Sequence, residues 1–313
     1  MSPNRHAEGR VTIKDVARVA GVSPSTVSFV LNDTPGQTLL PATRDRVRAA
    51  ARQLGYTPHG IARALREGTS RVVLLDLGPL GAGPSMDSFV EGMGEELSRL
   101  GHVLFVTHRE TPSAPDEVIE TFVPRAVVDI ASPFATENPA QPDGGWQHGL
   151  PAHTMTQLRH LVRRGHRRIA FAAPSVRMPG YVAARLEHVA RAAPALGIRV
   201  PSSLVVPDDP AAARDAVAAL FGEPEPPTAV AAFDDDVALR VLAALDELGR
   251  AAPRDLAVIG FDASRYGALW RPALTSVRID ASGYGRRAAR IALGMEGGPW
   301  PRDQSAVIVR DSA

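Results

Sequence analysis

The chain of 313 residues has no cysteine and a single lysine, Lys14. Without thiols, disulfide frameworks, thiolate nucleophiles and cysteine zinc sites are excluded, and the chain suits a reducing compartment. No run of about 18 apolar residues occurs, so no membrane-spanning helix is expected. Residues 1–11 lack the apolar core of a signal peptide, which places the expected location in the cytoplasm. Common catalytic motifs are missing too. Gly78, Gly81 and Gly83 do not have the G-x-G-x-x-G spacing, and neither G-x-S-x-G nor G-x-x-x-x-G-K-[ST] is present. His148, His153 and His160 fit no H-E-x-x-H helix and have no cysteine partners, so they are read as solvated. No catalytic residue, metal or cofactor is expected.

What is present is a globular composition, 44% hydrophobic, long enough for two or three domains. The net charge of +1 hides an asymmetry. Residues 1–71 carry eleven Lys and Arg against five Asp and Glu, whereas residues 72–313 carry twenty-four against twenty-nine. A basic head of +6 on an acidic body of −5 suggests that nucleic acid is met by the head alone.

Residues 12–32, TIKDVARVAGVSPSTVSFVLN, read as two short helices joined by a tight turn. Thr12 suits an N-cap, and Asp15 sits where the helix dipole favours a carboxylate. Ile13, Val16, Ala17 and Ala20 share a stripe, Gly21 ends the helix, and Ser23-Pro24 starts the next one with a cap followed by proline. In the second helix Val27, Val30 and Leu31 fall on one side and Pro24, Ser25, Ser28 and Phe29 toward the other. Ser25, Thr26 and Ser28 offer hydroxyls for phosphates or base edges, and Phe29 an apolar face for a thymine methyl. An ordinary helical hairpin with solvated hydroxyls is the competing reading. A third amphipathic helix follows within residues 43–54, with Val47, Ala50, Ala51 and Leu54 inward, then Gly55 and Pro58.

With T-I-K-D-V-A-R-V-A-G-V-S at 12–23, T-V-S at 26–28, V-L-N at 30–32, T-R-D-R-V at 43–47, L-G-Y-T-P at 54–58 and A-R-A-L at 62–65, the chain resembles the lactose-repressor family of bacterial transcription regulators. The resemblance implies an all-α helix-turn-helix head over residues 1–58 and a hinge over 59–70. It implies DNA contacts at Thr12, Ser23, Pro24, Ser25, Thr26, Ser28, Phe29, Asn32, Tyr56, Ala62, Arg63 and Leu65. The partners expected are a double-stranded operator, a second copy of the chain and a small polar effector such as a sugar. A homodimer follows because one helix reads few bases and two-fold protein matches two-fold DNA.

From Arg71 onward strands alternate with helices, as in a doubly wound parallel sheet. Strands are expected at 72–77, 103–107, 126–130, 168–172, 203–206, 229–233 and 256–261. Helices are expected at 86–100, 116–123, 153–164, 182–193, 211–221 and 236–248. Residues 132–149, rich in proline and glycine, read as a linker or mobile loop. G-H-R-R-I-A-F (165–171), A-R-L-E (184–187), P-T-A-V (227–230), D-L-A-V-I-G-F-D (255–262) and P-A-L-T-S-V-R (272–278) resemble the family's α/β two-lobed, periplasmic-binding-protein-like body. Lobe one is then expected over about 71–146 and 279–298, and lobe two over about 147–278 and 299–313. Ligands in such sheets sit at the carboxyl ends of the strands. The resemblance places effector contacts on Arg185, Asp234, Asp235 and Asp262. The plainer alternatives are an ion pair of Arg185 with Glu187 and a helix-capping role for the Asp234–Asp236 run.

The departures bear on the effector. Residues 102–165 are fewer than in the family, 78–84 and 207–210 lack its usual pocket residues, and Ala263 replaces its second acid. The alternatives are therefore a repressor with a degenerate pocket or a solute-binding protein without DNA function, though the latter has no use for residues 12–65. The resemblance also makes Leu65 an apolar wedge in the operator's minor groove. Leu65→Ala should then weaken binding to specific DNA while sparing non-specific DNA, measured by filter binding at one salt concentration. Equal loss on both would remove the wedge role.

Overall fold

The computed structural model describes residues 11–31, 39–56, 70–78, 80, 83–108, 116–130, 145–175, 179–302 and 304–313. Backbone contacts divide the chain into two compact units, Met1–Ser70 and Arg71–Ala313.

The first unit holds three helices, α1 (Ile13–Ala20), α2 (Pro24–Leu31) and α3 (Pro41–Gln53). The Asp15 carboxylate receives both the amide (3.0 Å) and the hydroxyl (2.7 Å) of Thr12, closing the first turn of α1. Gly21 ends it at φ 64, a conformation that costs glycine little. The Ser23 hydroxyl then accepts the Thr26 amide at 3.1 Å and starts α2. Val16, Ala17, Ala20, Val27, Val30, Val47, Ala50 and Ala51 form the shared core. The third helix begins at Pro41, two residues before the expected Thr43, because proline suits a first helical position.

In the second unit, lobe one contains β1 (Val72–Asp76), α4 (Pro84–Arg99), β2 (Val103–Thr107), α5 (Asp116–Phe122) and β3 (Ala126–Asp129). Its described sheet has three parallel strands in the order β2-β1-β3. Lobe two begins with α6 (Trp146–Arg163), β4 (Ile169–Pro174), α7 (Pro179–Ala195), β5 (Ser202–Val206), α8 (Pro210–Leu220) and β6 (Ala229–Ala232). It continues with α9 (Asp235–Glu247), β7 (Ala257–Phe261) and β8 (Thr275–Ile279). The chain then forms α10 (Ser282–Ala292), which packs along α4, and returns as β9 (Ser305–Ile308). Lobe two's sheet runs β5-β4-β6-β7-β8-β9, parallel except for β9. Strands β4, β6 and β7 are buried throughout, which requires helices on both faces.

One expected element is corrected. Residues 146–149 are not linker but the first turn of α6, which runs through Pro151. Proline there reads as a helix boundary, yet burial of Trp146 and Leu150 outweighs the backbone hydrogen bond that proline forgoes.

The helices α4 and α10 approach closely at two glycines. A Cβ on Gly92 would lie 2.1 Å from the Ser282 carbonyl oxygen, and one on Gly285 would lie 2.0 Å from that of Phe89. Gly285→Ala should therefore push the helices apart and destabilise the body by about 1–3 kcal/mol. All three tryptophans, Trp146, Trp270 and Trp300, belong to the second unit, so denaturation followed by their fluorescence reads the body alone. An unchanged midpoint would show that the contact yields without cost.

Candidate functional site

Two surfaces carry the candidate residues. On the head, Ser23, Pro24 and Ser25 are exposed, while Thr26, Ser28 and Phe29 are half-buried beside the inward Val27 and Val30. The Ser23 and Thr26 hydroxyls lie 2.9 Å apart, so the cap of α2 holds both at its solvent-facing end. Tyr56 packs its ring against the head core and donates its amide to the Ala51 carbonyl at 2.9 Å. Thr12 is exposed at the start of α1. Asn32, Ala62, Arg63 and Leu65 lie outside the described residues.

In the body, a cavity of about 380 Å³ opens between the lobes. Lobe one lends Leu80 and the start of α4, from Gly83 to Met86; lobe two lends strand ends and helix starts, as expected of such sheets. Asp234, Asp235 and Asp262 line it. Each carboxylate has a different setting.

Asp234 caps α9, accepting the Val237 amide at 2.8 Å. Asp235 is buried and accepts the Ser276 hydroxyl at 2.5 Å and the Ser264 amide at 2.6 Å. Burial pushes its carboxyl above the ordinary range, against those hydrogen bonds. Gly260 is required beside it, because a Cβ there would meet the Asp235 carboxylate at 2.1 Å. Asp262 and Ala263 take left-handed backbone conformations at φ 98 and 54, uncommon for residues with a Cβ. That turn is held by the Asp262 amide on the Val277 carbonyl (2.8 Å), the Ala263 amide on the Ser276 hydroxyl (3.0 Å) and the Ser264 amide on Asp235. The result aims Asp262 across the cleft.

There its carboxylate accepts the Ser85 amide at 2.8 Å and caps the first turn of α4 in the other lobe. Pro84 has no N–H, so Ser85 supplies an early free donor of that helix. Gly83 permits the approach, since a Cβ there would lie 2.0 Å from the Asp262 carboxylate. Burial pushes the Asp262 carboxyl up to about 7, more than the Ser85 contacts lower it.

Arg185 sits deeper than a residue of the cavity surface. It is wholly buried and does not line the cavity, lying instead behind its aromatic wall. Its guanidinium stands 3.6 Å from the Phe261 ring centroid and donates to the Phe233 carbonyl (3.1 Å) and the Gln157 side-chain oxygen (3.0 Å). The ion pair with Glu187 does not form, because Glu187 is taken by Arg191. Gln157, which residue patterns did not single out, also donates to the carbonyls of Ala232 and Gly260.

His153 is corrected as well. It is buried in the cavity wall, and burial, with Arg185 nearby, lowers its pKa to about 4, so the ring is neutral at neutral pH. His148 is exposed against Trp300, and His160 is half-buried. Among the described residues no three His, Asp or Glu side chains come together as a metal set. Trp146 lines the cavity with its indole edge-on to Phe89 at 5.7 Å. The spacing that would have found this wall is helical: Trp146, Leu150, His153, Gln157 and Leu161 fall on one side of α6 through Pro151.

The pattern of bacterial regulatory proteins of the lacI family matches residues 12–59, and that of the periplasmic binding protein-like domain matches residues 158–313. The chain belongs to the lacI family of bacterial regulatory proteins. It is 28% identical over 314 residues to the transcriptional repressor PurR of Escherichia coli, covering 90% of this chain and 89% of PurR. Among solved structures it is similar to the lac repressor dimer bound to operator and an anti-inducer, with TM-score 0.71, 20% identity and coverage of 97% and 99% of the two chains. The CelR–cellobiose complex gives TM-score 0.54 at 24% identity, covering 97% and 100%. A lacI-family regulator from Silicibacter pomeroyi gives 0.63 at 20%, covering 96% and 99%. These likenesses establish the two-part fold for this lacI-family chain.

A stability test follows from Asp262. A carboxyl whose pKa is higher folded than unfolded binds its proton more tightly in the native state, so its contribution is present at low pH and lost as pH rises. Between the ordinary value of 3.8 and about 7, body stability should fall with pH, by at most about 1.4 kcal/mol per unit from this group. Asp262→Asn should flatten that slope in tryptophan-monitored denaturation. A slope unchanged in the variant would assign it to another group.

Proposed function

We propose that this lacI-family chain is a transcriptional repressor that binds a pseudo-palindromic double-stranded operator as a homodimer, in the cytoplasm, and that a small polar effector in the cleft changes its operator affinity. The assignment divides the chain into a reading head at residues 1–58, a hinge at 59–70 and an effector and dimerisation body at 71–313. PurR is a repressor by name, the lac repressor structure contains operator and anti-inducer, and CelR was solved with cellobiose.

The single observation that carries the reading is the geometry of α1 and α2. Capped ends and a shared buried side hold a two-helix unit rigidly while Ser23, Pro24 and Ser25 face solvent. Such a unit can enter a major groove with the start of its second helix foremost. A basic head supplies the salt-dependent part of the affinity, and base edges the sequence dependence. Coupling then requires that effector and operator each favour one arrangement of the dimer, and reciprocity follows.

Selection from random duplex DNA tests the head. Wild type should return a two-fold site, and Phe29→Arg should shift one position of each half-site toward guanine, because guanidinium pairs with guanine acceptors and phenyl cannot. Each good pair discriminates by about 1–3 kcal/mol, which selection resolves easily. Identical half-sites from both proteins would place Phe29 outside the base contacts. Failure to enrich any site would remove the repressor reading.

A further inference from the structure

The cleft wall is one-sided in its chemistry. Asp234, Asp235, Asp236 and Asp262 line it, and among its described lining residues there is no lysine or arginine. Arg185 is held behind the wall by Phe233, Gln157 and the Phe261 ring. Its Nε has no partner among the described residues, but the guanidinium is wholly buried and is not part of the cavity lining. Much of the remaining wall is aromatic, including Trp146, Tyr181, Phe233 and Tyr266, whose ring faces attract positive charge.

A second observation is independent of charge. The Trp146 indole nitrogen and the His153 Nδ1 belong to residues that line the cavity and are buried beyond nine-tenths, and among the described residues neither has a hydrogen-bond partner. An indole N–H can only donate, so it calls for an acceptor oxygen. Buried polar groups left unpaired are costly, and a ligand oxygen at this wall would relieve that cost. A carboxylate or phosphate could supply the oxygen, but it would have to sit against Asp234, Asp235 and Asp262, since only Asp236 is exposed and paired with Arg240. A neutral oxygen faces no such penalty.

Resting on the reading of the cleft as the effector site, we propose that its ligand is a small organic cation, a protonated or quaternary amine on a scaffold bearing a neutral oxygen. The ammonium faces Asp262 and the aromatic rings, and the oxygen faces Trp146. Asp262 is the carboxylate that crosses the cleft, and the Ser85 amide occupies one of its two oxygens. The other ionisable groups around it are Asp234 and Asp235 at the start of α9, Tyr181 of α7 with Arg185 behind it, and His153 of α6. Of these, Asp234 and Asp235 oppose ionisation of Asp262, and a bound cation favours it.

The test uses the full chain, with isothermal titration and thermal shift, on probes matched in shape and differing in charge. Choline is compared with neohexyl alcohol, its neutral carbon isostere, and tyramine with para-ethylphenol and para-hydroxyphenylacetate; glucose serves as a neutral sugar. At least one amine should bind about tenfold or more tighter than its neutral counterpart, a difference that titration resolves. Its affinity should rise by several-fold between about pH 6 and about pH 8, as Asp262 loses its proton. Asp262→Asn should remove both the charge preference and the pH dependence. Trp146→Phe, which keeps a ring and deletes the donor, should weaken the amine several-fold without altering its pH dependence. Tighter binding of the neutral or anionic partner, or of glucose, overturns the charge assignment and leaves the cleft as the effector site. Silence from every probe, with operator selection intact, overturns the cleft as a ligand site while the DNA-reading role stands.

Discussion

The buried carboxylate of Asp235 is the constraint on which the site depends. It holds the Ser276 hydroxyl and the Ser264 amide at once, and so fixes two consecutive left-handed residues at the end of β7. Without it, Asp262 and Ala263 would relax toward ordinary backbone conformations and Asp262 would no longer point across the cleft. These two short hydrogen bonds compensate its burial only in part, and its carboxyl stays above the ordinary range. Gly260 completes the nest by leaving room for the carboxylate.

Arg185 plays the corresponding part behind the wall. A buried guanidinium shared between Phe233, Gln157 and three phenyl rings ties α7 to the ends of β6 and β7. Gln157 reaches from α6 to the carbonyls of Ala232 and Gly260. Together they make the strand ends a rigid shelf. A cleft built on such a shelf keeps its polar groups in place whether or not anything occupies it, which is the condition for a pre-organised site.

Much of the fold was legible because its signals are local. The caps at Thr12 and Ser23, the Gly21 turn and the alternation of apolar strands with amphipathic helices depend on neighbours in sequence, and they appear where spacing places them. The start of α6 was not legible, because Pro151 is a strong local signal that distant burial of Trp146 overrides. The cavity was legible only in part. Strand-end aspartates were visible by position, and the capping role of Asp234 was the plainer of its two readings. The crossing of Asp262 to Ser85 joins residues 177 apart in sequence, and no local pattern encodes it. The burial of Arg185 and His153 belongs to the same class: a charged or polar residue on a helix reads as solvated until the packing around it is known.

The cap that Asp262 provides for α4 comes from the opposite lobe, and this gives the cleft a threshold. A hydrogen bond at 2.8 Å is lost with a displacement of less than about 1 Å, whereas packed lobes move as bodies over larger distances. The first turn of α4 is therefore either capped or bare, with little between. Because α4 lies tightly along α10 through paired glycines, the two helices respond together as one rigid pair. A displacement of one lobe against the other is in this way read at one helix end as capped or bare.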